Sequence, residues 1–285
     1  MKIHFTKMHG LGNDYIYINC MAGEPKYPEL LALAMSPRRF SVGGDGLVLI
    51  CRSAVADAKM RMFNADGSEG RMCGNAIRCV GKYLYENRIV SREDMTIETL
   101  SGIKRLHLEL FAGKVQTVGV DMGRATLEPS AVPVLFEGER MVSEPVEVDG
   151  QTYRMTAVSV GNPHAVVFVD DVDSLNLEHL GPIFEHLPIF PDRVNTEFVR
   201  RIDPTTLQMR VWERGSGETF ACGTGSCAVV TAAVVNGYCR PGRPVTVRLR
   251  GGDLEVVCDG NLNLYMSGRA ETVYEGVYEY EDPDQ

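Results

Sequence analysis

The chain has 285 residues, 44% hydrophobic and 24% charged, an ordinary soluble balance that at about 150 residues per domain suggests two domains. A formal net charge of −9 argues against general nucleic-acid binding, and no apolar run approaches the ~18 to 20 residues that span a bilayer. No signal-peptide core opens the chain, so the eight cysteines are read as free thiols of a cytoplasmic protein with no membrane partner.

Alternation and turn signals predict an opening strand over residues 3–19, broken by a Gly-rich turn, then a helix over 27–35. Strands follow at 46–51 and 59–64, then a polar loop holding Cys73 and a helix over 74–87. Strands at 95–99, 105–110 and 114–120 close the first half. Gly and Pro interrupt the pattern at 122–129, the expected domain boundary. The same order then returns: an opening strand region at 153–169, a helix at 175–185, strands at 195–200 and 206–213, a Gly-rich loop holding Cys222, a helix at 223–236, and strands at 245–249, 254–258 and 262–266. The expected domains are therefore 1–121 and 122–267, with 268–285 packing back on the first.

The return has one offset. A shift of 149 residues carries Cys73-Gly74 onto Cys222-Gly223, Gly12-Asn13 onto Gly161-Asn162, Phe63-Asn64 onto Trp212-Glu213 and Glu69 onto Glu218. Periods of 20 to 50 residues mean solenoids, whereas this period means duplication of a whole domain.

Each of the two repeat-equivalent cysteines stands at the start of a helix. The helix after Cys222 is apolar all round and therefore buried; that after Cys73 is more amphipathic. A thiol at a helix N-terminus meets free amides and the positive end of the dipole, which is expected to lower its pKa below about 8.5. The amides of Gly74-Asn75 and Gly223-Thr224 form anion sites suited to a carboxylate. A two-fold duplication brings equivalent groups to the cleft between domains. One thiolate can there take a proton from one face of a carbon while the other thiol supplies one to the opposite face, which inverts the centre. Cys20, Cys51, Cys79, Cys227, Cys239 and Cys258 read as packing residues. Asn13, Asn64, Asn162, Asn195, Glu213 and Arg214 cluster at strand ends near the turns. His164 is read either as a residue that orients a thiol or as a structural histidine. There is no C-x-x-C pair, no G-x-S-x-G, no H-E-x-x-H and no P-loop, so no metal or nucleotide is implied.

Taken together, HGLGNDY (9–15), GGDG (43–46), FNADGSEGRMCGNAIRC (63–79), VGNPHAV (160–166), RVNTEFV (193–199) and ERGSGETFACGTGSC (213–227) resemble the diaminopimelate epimerases along nearly the whole chain. The resemblance implies an α/β (α+β) fold of two pseudo-symmetric domains, each a mostly antiparallel curved sheet around a central buried helix, with the active site in the interdomain cleft. It implies no pyridoxal phosphate or other cofactor, a homodimer, and interconversion of LL- and meso-2,6-diaminopimelate on the route to lysine and peptidoglycan precursors. Cys73 and Cys222 would be the acid–base pair. Asn13, Asn64, Asn162, Asn195, Glu213 and Arg214 would bind substrate, and Gly74, Asn75, Gly223 and Thr224 would hold the reacting carboxylate. Gly46 stands where some members carry Gln and is given no binding role. The competing readings are a proline or hydroxyproline racemase, which also uses two cysteines, and a thiol redox or metal-binding protein. An isomerase of the phenazine-biosynthesis type would lack the cysteine pair.

Overall fold

The computed structural model describes residues 2–281; Met1 and residues 282–285, part of the expected first domain, lie outside the described residues. The chain divides into two compact units, one holding the chain up to Val120 and again from Gly268, the other Asp121–Ser267.

The first unit opens with the antiparallel pair β1 (Lys2–Gly10) and β2 (Asn13–Cys20). Helix α1 (Pro28–Met35) crosses to β3 (Gly46–Cys51), which pairs parallel with β2 and antiparallel with β4 (Ala58–Asn64). The short β5 (Glu69–Gly70) folds back on one end of β4. Helix α2 (Gly74–Glu86) leads to β6 (Asp94–Thr99), parallel to the other end of β4, and the antiparallel run continues through β7 (Gly102–Phe111) and β8 (Lys114–Arg124).

The second unit repeats this order. An antiparallel pair, β9 (Glu144–Val148) and β10 (Gln151–Ser159), is followed by β11 (Pro163–Phe168), α3 (Leu177–Glu185), β12 (Asn195–Asp203), β13 (Thr206–Glu213), the short β14 (Gly217–Thr219), α4 (Gly223–Val235), β15 (Pro244–Leu249), β16 (Gly252–Cys258) and β17 (Asn263–Gly268). Its parallel pairs are β11–β12 and β13–β15, the counterparts of β2–β3 and β4–β6. The last strand, β18 (Glu271–Glu279), pairs antiparallel with β1, in the place that β9 takes beside β10. Each unit is therefore a mostly antiparallel sheet with two parallel joints.

The duplication extends to hydrogen-bond register. Tyr15 lies opposite Gly46 as His164 lies opposite Asn195, and Leu47 opposite Phe63 as Thr196 opposite Trp212. Phe63 and Glu69 pair as Trp212 and Glu218 do. Each match keeps the offset read from the sequence.

Burial explains why these strands form. β3 reads GLVLIC and is buried at every position, as a parallel strand covered on both faces requires. Leu47, Leu49 and Cys51 join Leu31, Ala32 and Met35 of α1 in one apolar layer. In the second unit Leu177 and Phe184 of α3 pack in the same way with Ala165, Val167 and Phe198. The central helices cover the opposite faces: α2 packs on β1, β2 and β7, and α4 on β10, β11, β12, β15 and β16. Among the described residues no helix is long and apolar enough to cross a membrane.

Candidate active site

Cys73 and Cys222 occupy the same structural position. Each is the N-cap of its unit's central helix, with extended backbone (φ −133°, ψ 123° and φ −125°, ψ 112°) and the helix beginning at the following glycine. Both helices run 13 residues and neither has an acidic side chain of its own in its first turn.

Cys73 is half-buried, and an amide side chain meets its sulfur. Its Sγ donates to Asn13 Oδ1 at 3.4 Å, and Asn75 Nδ2 donates to the same oxygen at 3.2 Å. Asn13 Nδ2 in turn donates to Asp45 Oδ2 at 2.7 Å, and Arg38 ties Asp45 to Asp14 at 2.7 Å each. Burial pushes the Asp14 carboxyl up, but hydrogen bonds from Arg38 and Lys7 outweigh it and hold the group below its usual value. Behind the cap the Arg78 side chain is fully buried and donates to Asn75 Oδ1 (3.0 Å), Gly74 O (3.1 Å) and Arg269 O (3.3 Å). It braces the first turn of α2 from inside. Cys79, one turn on, is a packing residue whose thiol burial pushes up to about 11.

Around Cys222, which is buried, the partners are charged. Its Sγ accepts from Gly225 N at 3.4 Å and lies 3.6 Å from Thr224 Oγ1. Glu213, at the end of β13, receives the Thr219 hydroxyl at 2.5 Å. Burial pushes the Glu213 carboxyl up, against the Thr219 bond. For Cys222 the structure reverses the expectation of a lowered pKa: burial first, then the Glu213 and Glu197 charges, push the thiol well above its ordinary value, against Thr224 and the Gly225 amide. The helix end is present, but desolvation and two carboxylates outweigh it.

Two small thiol-bearing loops built alike specify little by themselves; sequence relatives decide the family. The family model described as "Diaminopimelate epimerase" matches residues 5–128 and 156–273. The chain belongs to the diaminopimelate epimerase family. It is thereby an isomerase. Relatives of that name include those of Acetivibrio thermocellus, 54% identical over 96% of this chain and 98% of that one, and Desulfovibrio desulfuricans, 53% identical over 98% and 99%. Among solved structures, a hydroxyproline epimerase from Agrobacterium vitis has a TM-score of 0.74 at 17% identity, covering 99% of this chain and 94% of that one. A phenazine biosynthesis protein of the PhzF family from Bacillus anthracis has a TM-score of 0.72 at 17% identity, covering 98% and 100%. At that identity these two share the fold alone, and the proline-type reading is not favoured.

Within this family member the remaining expected residues fall as follows. Asn64 lies opposite Gly46 and donates to Ser68 Oγ at 3.0 Å. A Cβ on Gly46 would lie 2.0 Å from Phe63 O, so no side chain fits there without moving the strand. Asn162 Nδ2 donates to Thr224 Oγ1 at 3.4 Å, and its Oδ1 faces His164 Nε2 at 3.0 Å. Asn195 is buried and its Oδ1 accepts from Arg214 N at 2.8 Å, while Arg214 Nη1 donates to Asp192 O at 2.7 Å. Asn13, Asn75 and Gly74 therefore gather with Cys73, and Asn162, His164, Glu213, Gly223 and Thr224 gather with Cys222. Asn64 hydrogen-bonds within its own loop, and Asn195 within the segment that follows β13.

Sequence reasoning missed Glu197, Asp45, Arg78 and the paired ion bridges Arg61–Glu69 (2.7 Å) and Arg210–Glu218 (2.8 Å). The signals were available. Arg61 and Arg210 obey the same offset as the cysteines, and Glu197 carries a charge into the buried half of β12, Asn195–Val199.

Proposed function

We propose that the protein interconverts LL- and meso-diaminopimelate by moving the Cα proton between Cys73 and Cys222, without a cofactor. The observation that carries this reading is the repeated N-cap: two thiols at equivalent helix starts, each beside first-turn amides suited to an anion. One sulfur takes the proton from one face of the carbon and the other returns a proton to the opposite face, so both must reach a single Cα. The amides of Gly74, Asn75, Gly223 and Thr224 would hold the reacting carboxylate and meet the negative charge that develops next to it. Asn13, Asn64, Asn162, Asn195, Glu213 and Arg214 would hold the rest of the molecule, the Arg214 guanidinium suiting the distal carboxylate. The carboxylates beside Cys222 favour its thiol form, and the two sulfurs exchange the roles of donor and base when the direction of the reaction reverses. The same reading includes a cytoplasmic enzyme acting as a homodimer. The outer strand β18, with Val273 and Val277 exposed, is a face that a second copy would cover.

The test is incubation with LL-diaminopimelate in deuterated water, without pyridoxal phosphate, following α-deuterium uptake and meso product. The wild type should exchange and epimerise, and Cys73→Ala and Cys222→Ala should each lose epimerisation by about 10²–10⁴-fold or more. Exchange with proline in place of diaminopimelate would overturn the substrate; full activity in either mutant would overturn the two-thiol mechanism. Sedimentation of the intact protein checks the dimer.

A further inference from the structure

The side-chain amides of Asn13 and Asn75 stand in one row beside the α2 cap. An amide donates at one end and accepts at the other, so what the row offers a substrate depends on which way each amide is turned. We propose that Asp45 and Arg78 are positioning residues that lock both amides head to tail, so that Asn13 presents its oxygen, and not its amino group, at the α2 cap. The proposal rests on the epimerase reading above, in which Asn13 and Asn75 touch the substrate.

The row has a fixed donor at one end and a fixed acceptor at the other. Arg78 is fully buried, and a guanidinium only donates; its Nη2 donates to Asn75 Oδ1 at 3.0 Å. That turns Asn75 Nδ2 towards Asn13, where it donates to Oδ1 at 3.2 Å. Asn13 Nδ2 is thereby left to donate to Asp45 Oδ2 at 2.7 Å, and a carboxylate paired with an arginine only accepts. Half a turn of either amide sets like against like: an oxygen against the Asp45 carboxylate, or an amino group against the Arg78 guanidinium. Each such reversal gives up a hydrogen bond to a charged group and leaves a polar atom without its partner. The two ions therefore choose the direction of both amides, and the Asn13 oxygen is the atom that meets Cys73 Sγ at 3.4 Å.

Asp45 is itself held from several sides. Its Oδ1 meets Arg38 Nη2 at 2.7 Å, its Oδ2 also accepts from Asp14 N at 3.1 Å, and its own N donates to Asp14 O at 2.7 Å. Arg38 grips the Asp14 carboxylate with both Nη atoms, at 3.0 and 2.7 Å, and Lys7 Nζ lies 2.6 Å from it. Ion pairs as exposed as Arg38 with Asp45 add little stability, so the consequence of the network is geometric: the carboxylate cannot swing away from Asn13. The second unit lacks the device. At the positions of Arg78, Asn75 and Asp45 it carries Cys227, Thr224 and Val194. Asn162, the equivalent of Asn13, is turned the other way, its Nδ2 donating to Thr224 Oγ1 at 3.4 Å. Caps with the same backbone are thus given amides of opposite direction.

The experiment is a double-variant cycle on kcat/KM for diaminopimelate, with Asp45→Ala, Asn13→Ala and the two combined, measured beside Asp45→Asn. Asp45→Ala should lower kcat/KM about tenfold, the scale of one hydrogen bond to a charged group. In the Asn13→Ala background the same change should cost nothing further, because the amide that Asp45 directs is gone. Asp45→Asn still offers an oxygen to Asn13 Nδ2 and should stay within about threefold of the wild type. If Asp45 served only to hold its loop by charge, the losses would add and Asp45→Asn would be as poor as Asp45→Ala. Either of those results, or no loss in Asp45→Ala, overturns the proposal. If Asp45→Ala fails to fold, the side-chain amide of Asn13 decides, assigned in nitrogen-15 spectra by its loss in Asn13→Ala. One of its two protons should be protected from solvent exchange in the wild type, and equal exchange of both overturns the proposal. A wild type inactive on diaminopimelate overturns the epimerase reading, whereas an active wild type with an additive cycle overturns the proposal alone.

Discussion

The two cysteine caps have the same backbone and opposite surroundings. The Cys73 sulfur donates to Asn13, which Asn75 also bonds, with Arg78 buried behind the turn. Cys222 is met by Glu213 and Glu197, with His164 attached to the second of them. At the positions of Glu213, Glu197 and His164 the first unit carries Asn64, Val48 and Tyr15; at the position of Arg78 the second carries Cys227. Duplication has kept the register, the helix length and the cap, and has changed what surrounds each sulfur. The backbone thus sets where the thiols stand, and the neighbouring side chains set how readily each gives up its proton.

The comparison can be broken most severely at the first turn of α4. Gly225 is the equivalent of Ala76, which follows from the same divergence: with Val48 in place of Glu197, the first unit has no carboxylate for a methyl group to strike. Gly225→Ala should destabilise the protein by about 2 kcal/mol, the scale of an overpacked contact. In the background Glu197→Val the same substitution should cost nothing or stabilise by a few tenths up to about 1 kcal/mol, because alanine favours a helix interior over glycine. Urea unfolding of the two single variants and the double variant measures the coupling. Additive effects would mean that something other than Glu197 requires the glycine.

A smaller effect should follow from Glu213→Gln, which puts an amide at the position where the first unit carries Asn64. A thiol with a raised pKa stays protonated at a pH where an ordinary thiol is already half ionised. Removing the Glu213 charge takes away one cause of the rise, so ionisation should begin at lower pH, by about one unit or 1.4 kcal/mol. Alkylation of the Cys222 peptide, followed by mass spectrometry across pH, reads this without substrate. An unchanged profile would leave burial and Glu197 as the sole causes.

Much of this arrangement was legible in the sequence because it is carried by local pattern. The offset between Cys73 and Cys222 recurs in the strand register, and the apolar run after Gly223 forms the buried α4. The strand β9 was not read, since Pro145 and the acidic residues beside it hide its alternation. Nor could the sequence predict the state of Cys222. Its position at a helix start is local, but the carboxylates that reverse the expected shift come from β12 and β13, 25 and 9 residues away along the chain. Gly46 is a third case: its sequence shows a missing side chain, and only the 2.0 Å approach of Phe63 O shows that none would fit.

The smallest predicted effect lies at the other ends of the two helices. Both close with the same terminus: Ile89 N donates to Leu84 O at 2.9 Å, and Tyr238 N to Ala233 O at 2.8 Å, across one left-handed residue. In α4 that residue is Gly237 (φ 73°), which adopts the conformation freely; in α2 it is Arg88 (φ 57°), whose Cβ makes it cost roughly 1–2 kcal/mol. Arg88→Gly should recover part of that cost, offset by the greater freedom of glycine in the unfolded chain, for a net gain of about 0.5–1 kcal/mol. Gly237→Ala should lose a similar amount or more. Paired thermal unfolding of the two variants would show shifts of opposite sign and about 1–4 °C each. If Arg88→Gly instead lowers the melting temperature, the arginine side chain contributes more to the folded state than its backbone costs. The two helix ends would then differ in energetics despite their common geometry, as the two caps do.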